Sequence, residues 1–410
     1  MDPARSRNAA LWLSGAAAVL PVVSIAGFEV AMGAALVALL IALRTTGQTW
    51  RWPPIMLPLC VWVGLTLLSA AASGEARAAF PQVKKFYVYL MLLVVVAAFR
   101  TVSEVRWVVL GWALGASLSA VWSFVQFARK YEAARAAHQD FYGAYIGARI
   151  TGFMGHWMTF SGEMMMALLL IAAVVFFSGD RRWIGWLVAA GALTGVALIA
   201  AETRSVWGGA FAGAVYLVWM WRRWLVLALP VLTGILMLAN PFEIRERIVS
   251  VFVPHGDEDS NAFRTVTRRT GWEMIKAHPW LGLGPEEVGP HFNGYVPADI
   301  PRPLPTGYYG HLHNIYYHYA AERGVPAMLA LMWMMGQALA DFIRTLRRLP
   351  KEAEERWVLH GAIAVTIAVL LGGYFEVNLG DSEVLGMFLA VIGCGYVAVL
   401  SGRTAESGAS

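Results

Sequence analysis

"WMTFSGEMMMALLLIAAVVFFSGDRRWIGWLVAAGALTGVALIAAETRSVWGGAFAGAVYLVWMWRR", residues 157–223, decides the fold. Three apolar runs, 157–178, 183–200 and 205–222, are separated by a turn carrying Arg181 and Arg182 and by a second carrying Arg204. A helix needs roughly 20 apolar residues to cross a bilayer. Only helices and closed barrels satisfy every backbone group in lipid, and no run of short alternating strands is visible. The pattern recurs along the chain. Of 410 residues, 58% are hydrophobic and 14% charged, with a mean hydropathy of +0.56; soluble domains are about one quarter charged. The expected fold is an all-α polytopic membrane protein with about twelve transmembrane helices. Besides those three, the expected spans are 9–26, 28–43, 54–72, 84–99, 107–128, 224–239, 327–344, 357–376 and 382–401. The opening Met-Asp-Pro-Ala-Arg-Ser-Arg resembles the start of a signal peptide, but the first run passes into a second without a clear cleavage signature, so a retained helix is expected.

Charge then orients the chain. Cytoplasmic segments carry an excess of Lys and Arg. With both termini cytoplasmic, every inside segment holds a cation: Arg5 and Arg7; Arg44 and Arg51; Arg100 and Arg106; Arg181 and Arg182; Arg222 and Arg223; Arg344, Arg347, Arg348, Lys351 and Arg356; and Arg403. The net charge of +5 is thereby explained by topology rather than by a nucleic-acid partner. Cys60 and Cys394 fall in expected spans and are expected to be small apolar core residues, with no disulfide framework or metal motif. Three parts follow: 1–239 with helices 1–9, a large outer loop over 240–326, and 327–410 with helices 10–12 and a cytoplasmic tail.

Cations on the outer face need another reason. Arg129, Lys130, Arg135, Arg245 and Arg247 are expected to be solvated loop charges. Arg204 is different, because it lies between two apolar helices with almost no loop, where a charge is costly unless it faces a cavity or a partner such as Glu202. In "AFRTVTRRTGWEMIKA", Arg264, Arg268, Trp272 and Lys276 recur every four residues and share one helix face. Arg269 lies beside that stripe. Such a stripe suits either anionic headgroups or a bound phosphate, which guanidinium forks match well. Arg204, coming from a membrane-helix end, favours the specific anionic site.

In "GHLHNIYYHYAAERGVPAM", residues 310–328, Asn314 caps a helix that Gly324 and Pro326 end. His313 then sits at the helix N-terminus, where the dipole and nearby arginines disfavour imidazolium. A neutral histidine is a competent general base. A base and a cationic clamp on one membrane face suit transfer of a group off a phosphate leaving group, the base taking a proton from a hydroxyl and the arginines meeting the departing charge. For His318 packing is expected. The His311-x-His313 pair is a weak metal signal, and "DED" at 257–259 is expected to be a solvated acidic turn. No metal and no cofactor are expected, and no Gly-rich phosphate loop, Gly-x-Ser-x-Gly or His-Glu-x-x-His is present.

These residues resemble the O-antigen ligase and polymerase superfamily. Its pattern of an arginine four residues before a tryptophan, then Pro-x-x-Gly-x-Gly, then His-Asn opening a helix that ends in Glu-x-Gly, matches Arg268, Trp272, Pro279, Gly282, Gly284, His313, Asn314, Glu322 and Gly324. Thr203 and Arg204 match its Ser/Thr-Arg element. The resemblance implies a GT-C-like, metal-independent, inverting glycosyltransferase of the inner membrane. Its active site would lie on the periplasmic face, in the loop between helices 9 and 10. The donor would be glycan on undecaprenyl pyrophosphate and the ligase acceptor a sugar hydroxyl of the lipid A–core oligosaccharide, as in lipopolysaccharide biosynthesis. His313 is then the catalytic base, with His311 two residues earlier as the alternative. Arg204 and Arg268 would bind pyrophosphate, with Arg264 or Arg269 assisting and a one-residue shift exchanging Arg268 and Arg269. Lys84 and Lys85 are expected to line an opening for a lipid substrate. An O-antigen polymerase and a protein O-oligosaccharyltransferase share donor and clamp. Having one large outer loop favours a ligase. A transporter of a lipid-linked glycan should show pseudo-repeated halves, and none is visible.

Overall fold

The computed structural model describes residues 2–75, 77–249 and 260–408. Its longer helices are α1 (Pro3–Val19), α2 (Ile25–Thr46), α3 (Met56–Ala72), α4 (Phe86–Ala98), α5 (Val102–Ala136), α6 (Trp157–Phe177), α7 (Ile184–Ala200), α8 (Arg204–Arg222), α9 (Ala228–Ala239), α10 (Ser260–Ala277), α11 (Ile315–Arg323), α12 (Val325–Arg348), α13 (Glu355–Gly373) and α14 (Ser382–Gly408). The expected apolar runs are helical over most of their length, although 9–26 breaks at Val23 and Ser24 between α1 and α2, and the described residues contain no strand. Eight segments are long and apolar enough to cross a membrane, with α8 and α9 forming one of them; α3 and α7 are shorter apolar helices. The chain is a polytopic helical membrane protein.

Local chemistry sets the helix ends. Thr101 and Glu104 form a reciprocal capping box at the start of α5, satisfying two backbone donors that a helix start leaves open. Ser24 caps α2, and Gly47 ends it at φ +66°. The helix α5 runs two turns past its expected end at 128, through "ARKYEAARA", a segment rich in strong helix formers. Arg129, Lys130 and Arg135 therefore stand on a helix rather than in a loop, and Arg129 lies 5.6 Å from the Trp122 ring centroid. The core gathers around α6, α13 and α14, whose apolar faces are buried. Of the two cysteines, Cys394 is buried as expected. Cys60 is exposed on α3, since the buried stripe of that helix runs through Leu59, Trp62, Thr66 and Ser69.

Small residues seat α8 on α13. A Cβ added to Gly209 would meet the Ala368 carbonyl oxygen at 2.5 Å, and one on Gly213 the Ala364 carbonyl oxygen at 2.9 Å. This close backbone approach is the small-xxx-small mode of membrane-helix packing. It brings Arg204, the first residue of α8, beside the chain leaving α13.

The two ends of the bundle carry different features. At one end Arg7 pairs with Glu104, and Arg106 with Asp180 and Glu354. The segment 260–324 lies at the other end, where Ser69 at the end of α3 donates to the carbonyls of Leu281 and Glu322. The acidic stretch Asp257, Glu258 and Asp259 lies outside the described residues, as does the side chain of Arg247.

Candidate active site

The glycines of the 279–284 motif build a clasp. Gly282 (φ +68°) and Gly284 (φ +117°) lie against the end of α11, where Gly324 (φ +87°) faces the Trp280 carbonyl. A Cβ on Gly282 would sit 2.4 Å from the Glu322 carbonyl carbon, and one on Gly324 would sit 2.0 Å from the Trp280 oxygen. Only glycine combines such backbone angles with so close an approach. Three backbone bonds close the clasp: Leu283 to Ala321 (2.9 Å), Gly284 to Glu322 (2.8 Å) and Val325 to Pro279 (2.8 Å). Glu322 accepts from the Glu286 backbone at 2.7 Å, and burial pushes its carboxyl above the ordinary range. Arg323 is buried against the Trp62 and Tyr319 rings and donates to Gln82. These motif residues hold α10 and α11 together and do not face the cleft.

Beside the clasp is a cleft of about 430 Å³, lined by Arg204, Ser205, Gly208, Arg264, Thr265, Thr267, Arg268, Leu312, His313, Asn314, Tyr374 and Phe375. The amphipathic α10 packs Phe263, Val266, Thr267, Thr270 and Met274 inward, and Gly271 lets Leu312 approach. This rotation turns Arg264 and Arg268 to the cleft. Arg269, one residue on, turns away and is held by both oxygens of Asp299 at 2.9 Å. That pairing pulls the Asp299 carboxyl below its usual range. A guanidinium at the first residue of a helix opposes the helix dipole. With two more arginines across the same cleft, Arg204 makes it a place for an anion.

The histidines lie on the turn before α11, which packs against α10. Asn314 caps α11, accepting from the backbones of Tyr316 (2.9 Å) and Tyr317 (3.0 Å) and donating to the Tyr374 carbonyl (2.8 Å). His313, just before it, takes φ +49°, a costly angle for a residue with a Cβ. The turn aims Nδ1 at Glu376 Oε2, 3.0 Å away, and Nε2 at the Tyr308 carbonyl, 3.1 Å away. Glu376, between α13 and α14, is 6% exposed, and its Oε1 accepts from the Val377 backbone at 3.1 Å. Burial pushes the Glu376 carboxyl up, but its hydrogen bond to His313 and the nearby histidines outweigh this and hold it below the ordinary range. His311 lines a separate, smaller pocket of about 80 Å³ with His156, Asp381, Asn378 and Glu376. Burial, and then His313, lower its pKa to about 3, so it is neutral at pH 7.

The arrangement brings together Arg204, Arg264, Arg268, His313 and Asn314, and sets His311 in a second pocket. Lys84 is exposed, and Lys85 donates to the Gly380 carbonyl at 2.7 Å; neither lines the cleft. His318 is buried beside Tyr319 and Glu322, in packing. The sequence reasoning missed Glu376. It lies 63 residues from His313, and its only signal was an acidic residue in "GGYFEVNLGD", at the end of an expected span.

A polytopic helical membrane protein with a cationic cleft and a carboxylate-held histidine at one bundle end is the class that fold and site define. Residues 189–332 match the family model described as O-antigen ligase; the match supports a likeness to the O-antigen ligase superfamily and to lipid-linked glycan transfer of the ligase or polymerase type. The match spans both α8, with Arg204, and the clasp and histidine turn. No curated protein matches the chain at a significant level.

Proposed function

We propose that this chain transfers O-antigen glycan from undecaprenyl pyrophosphate to a sugar hydroxyl of the lipid A–core oligosaccharide, by a metal-independent inverting reaction at the periplasmic face of the inner membrane. The observation that carries the proposal is one cleft lined by three arginines and by a histidine backed by a buried carboxylate. Arg204 and Arg268 grip the donor pyrophosphate and Arg264 assists. Glu376 accepts a hydrogen bond from the Nδ1–H of His313, which holds the ring proton there and leaves the Nε2 lone pair as the base. The acceptor hydroxyl displaces the Tyr308 carbonyl from Nε2 and gives up its proton there as its oxygen attacks the anomeric carbon. The bond to pyrophosphate breaks on the opposite face, its electron pair stays with the leaving group, and the arginines meet that charge. The basic residues at the far end of the bundle support a periplasmic site and cytoplasmic termini.

The test is purified protein given lipid-linked glycan and, in parallel, lipid A–core, free glycan and protein as acceptors. Joined product with lipid A–core in the presence of EDTA is expected. Transfer to glycan alone would make it a polymerase, and transfer to protein an O-oligosaccharyltransferase. His313→Ala should keep donor binding and lose transfer; donor translocation lost with transfer retained would favour a transporter.

A further inference from the structure

We propose that His311, His313 and Glu376 form a binding site for a zinc-class divalent cation, and that filling it blocks transfer. The inhibition half rests on the reading of His313 as the base.

Each of the three residues offers one ligand atom, and these atoms lie within 4.8 Å of one another. Two imidazoles and a carboxylate form a ligand set that zinc accepts, leaving a fourth position for water. The side chains are 30%, 14% and 8% exposed, so the ligands are largely held in place while an entry path remains. A second carboxylate, Asp381, lines the adjoining pocket with Glu376 and helps to offset the charge of a dication.

The further support is the second bond of His313. Both its nitrogens face acceptors: Nδ1 faces the Glu376 carboxylate and Nε2 the Tyr308 carbonyl. A neutral ring has one N–H and satisfies one of them. With the proton on Nδ1, Nε2 is free to act as base. With the proton on Nε2, the ring donates to Tyr308 and its bare Nδ1 points at Glu376, where a cation would fit between them. Metal-bound histidines usually donate their other N–H to a carbonyl or carboxylate in this way. Zinc at Nδ1 thus fixes the tautomer whose Nε2 already carries its proton, and the base is lost without any change of fold.

The experiment uses the full-length protein in detergent, stripped with chelator. Zinc chloride is titrated by calorimetry, cobalt chloride by visible absorption, and magnesium chloride serves as the hard-cation control. One zinc per chain is expected, with no magnesium binding, because nitrogen ligands select the softer ions. His311→Ala and Glu376→Gln should each weaken zinc by about 100-fold or more, beyond what loss of an outer-shell partner costs. Glu376→Asp, which keeps the carboxylate, should bind within about tenfold of wild type. Melting curves check that each variant is folded. In the transfer assay, stripped wild type should be active, zinc should inhibit it with a midpoint at its binding constant, and EDTA should restore it. Absence of stoichiometric binding, unchanged affinity in His311→Ala and Glu376→Gln, or full or stimulated transfer at saturating zinc would each overturn the proposal. Failure of the base reading is separate: it would appear as transfer by His313→Ala in metal-free buffer.

Discussion

Replacing Glu376 by glutamine should disable His313 without touching it. The reason lies in how the carboxylate is pinned. Its Oε1 accepts from the Val377 backbone at 3.1 Å, and its Oε2 faces His313 Nδ1 at 3.0 Å. In Glu376→Gln the Val377 N–H still needs an acceptor, so the amide oxygen stays at the Oε1 position. The amide nitrogen, a donor, then falls where Oε2 was. His313 Nδ1 must become the acceptor, and the ring proton moves to Nε2, which already faces the Tyr308 carbonyl. The base nitrogen is now protonated. Loss of a general base costs about 100- to 10,000-fold, and a wrong-tautomer substitution in the serine-protease triad costs about 10,000-fold. We therefore expect single-turnover transfer from lipid-linked glycan to lipid A–core to fall by about 100-fold or more, with donor affinity within about threefold and little change in melting temperature. A Glu376→Gln protein that transfers within threefold of wild type would refute the coupling.

Neighbouring arginines should separate. Arg268→Ala should weaken donor binding by about 10- to 100-fold, as for a lost charge-assisted contact, whereas Arg269→Ala, which breaks an exposed pair with Asp299, should change it less than about threefold; equilibrium binding of a lipid-linked pyrophosphate decides. Gly324→Ala should strain the clasp by about 1–3 kcal/mol from backbone angle alone, with the Trp280 overlap added, and lower the melting temperature and transfer together; unchanged values would show that the clasp yields. Burial, followed by Arg323, holds His318 at about 3, far below an unfolded histidine near 6.5. The unfolded chain therefore binds the extra proton between those values, and stability falls as pH drops through that window, by about 1.4 kcal/mol per pH unit at most. His311 adds the same sign, while Glu322, pushed up by burial, opposes it. Melting temperature measured from pH 7 to pH 5 should decline, and His318→Asn should flatten the slope; a slope unchanged in that variant would contradict the buried-neutral assignment.

Much was determined by sequence alone, because lipid leaves a chain few choices. Apolar runs of spanning length had to become helices, and the basic turns had to gather at one end. The Asn314 cap, the helix break at Gly324 and the four-residue spacing of Arg264 and Arg268 are local, and each was legible. The helix end beyond 128 was missed because an alanine-rich, charged segment extends a helix past the apolar run that announces it. Other choices depended on distant parts of the chain. Whether Arg268 or Arg269 meets the cleft is a rotation of α10, set by Phe263, Val266 and Met274 packing inward and by Asp299 holding the second guanidinium. The glycines of Pro-x-x-Gly-x-Gly were legible only as part of a family pattern; that they serve a backbone clasp was not, because a Cβ clash is a property of two segments and not of one. Glu376 was invisible beforehand for the same reason. A hydrogen bond across 63 residues is made by the packing of α11 against the end of α13, and only that packing chooses which histidine receives the carboxylate.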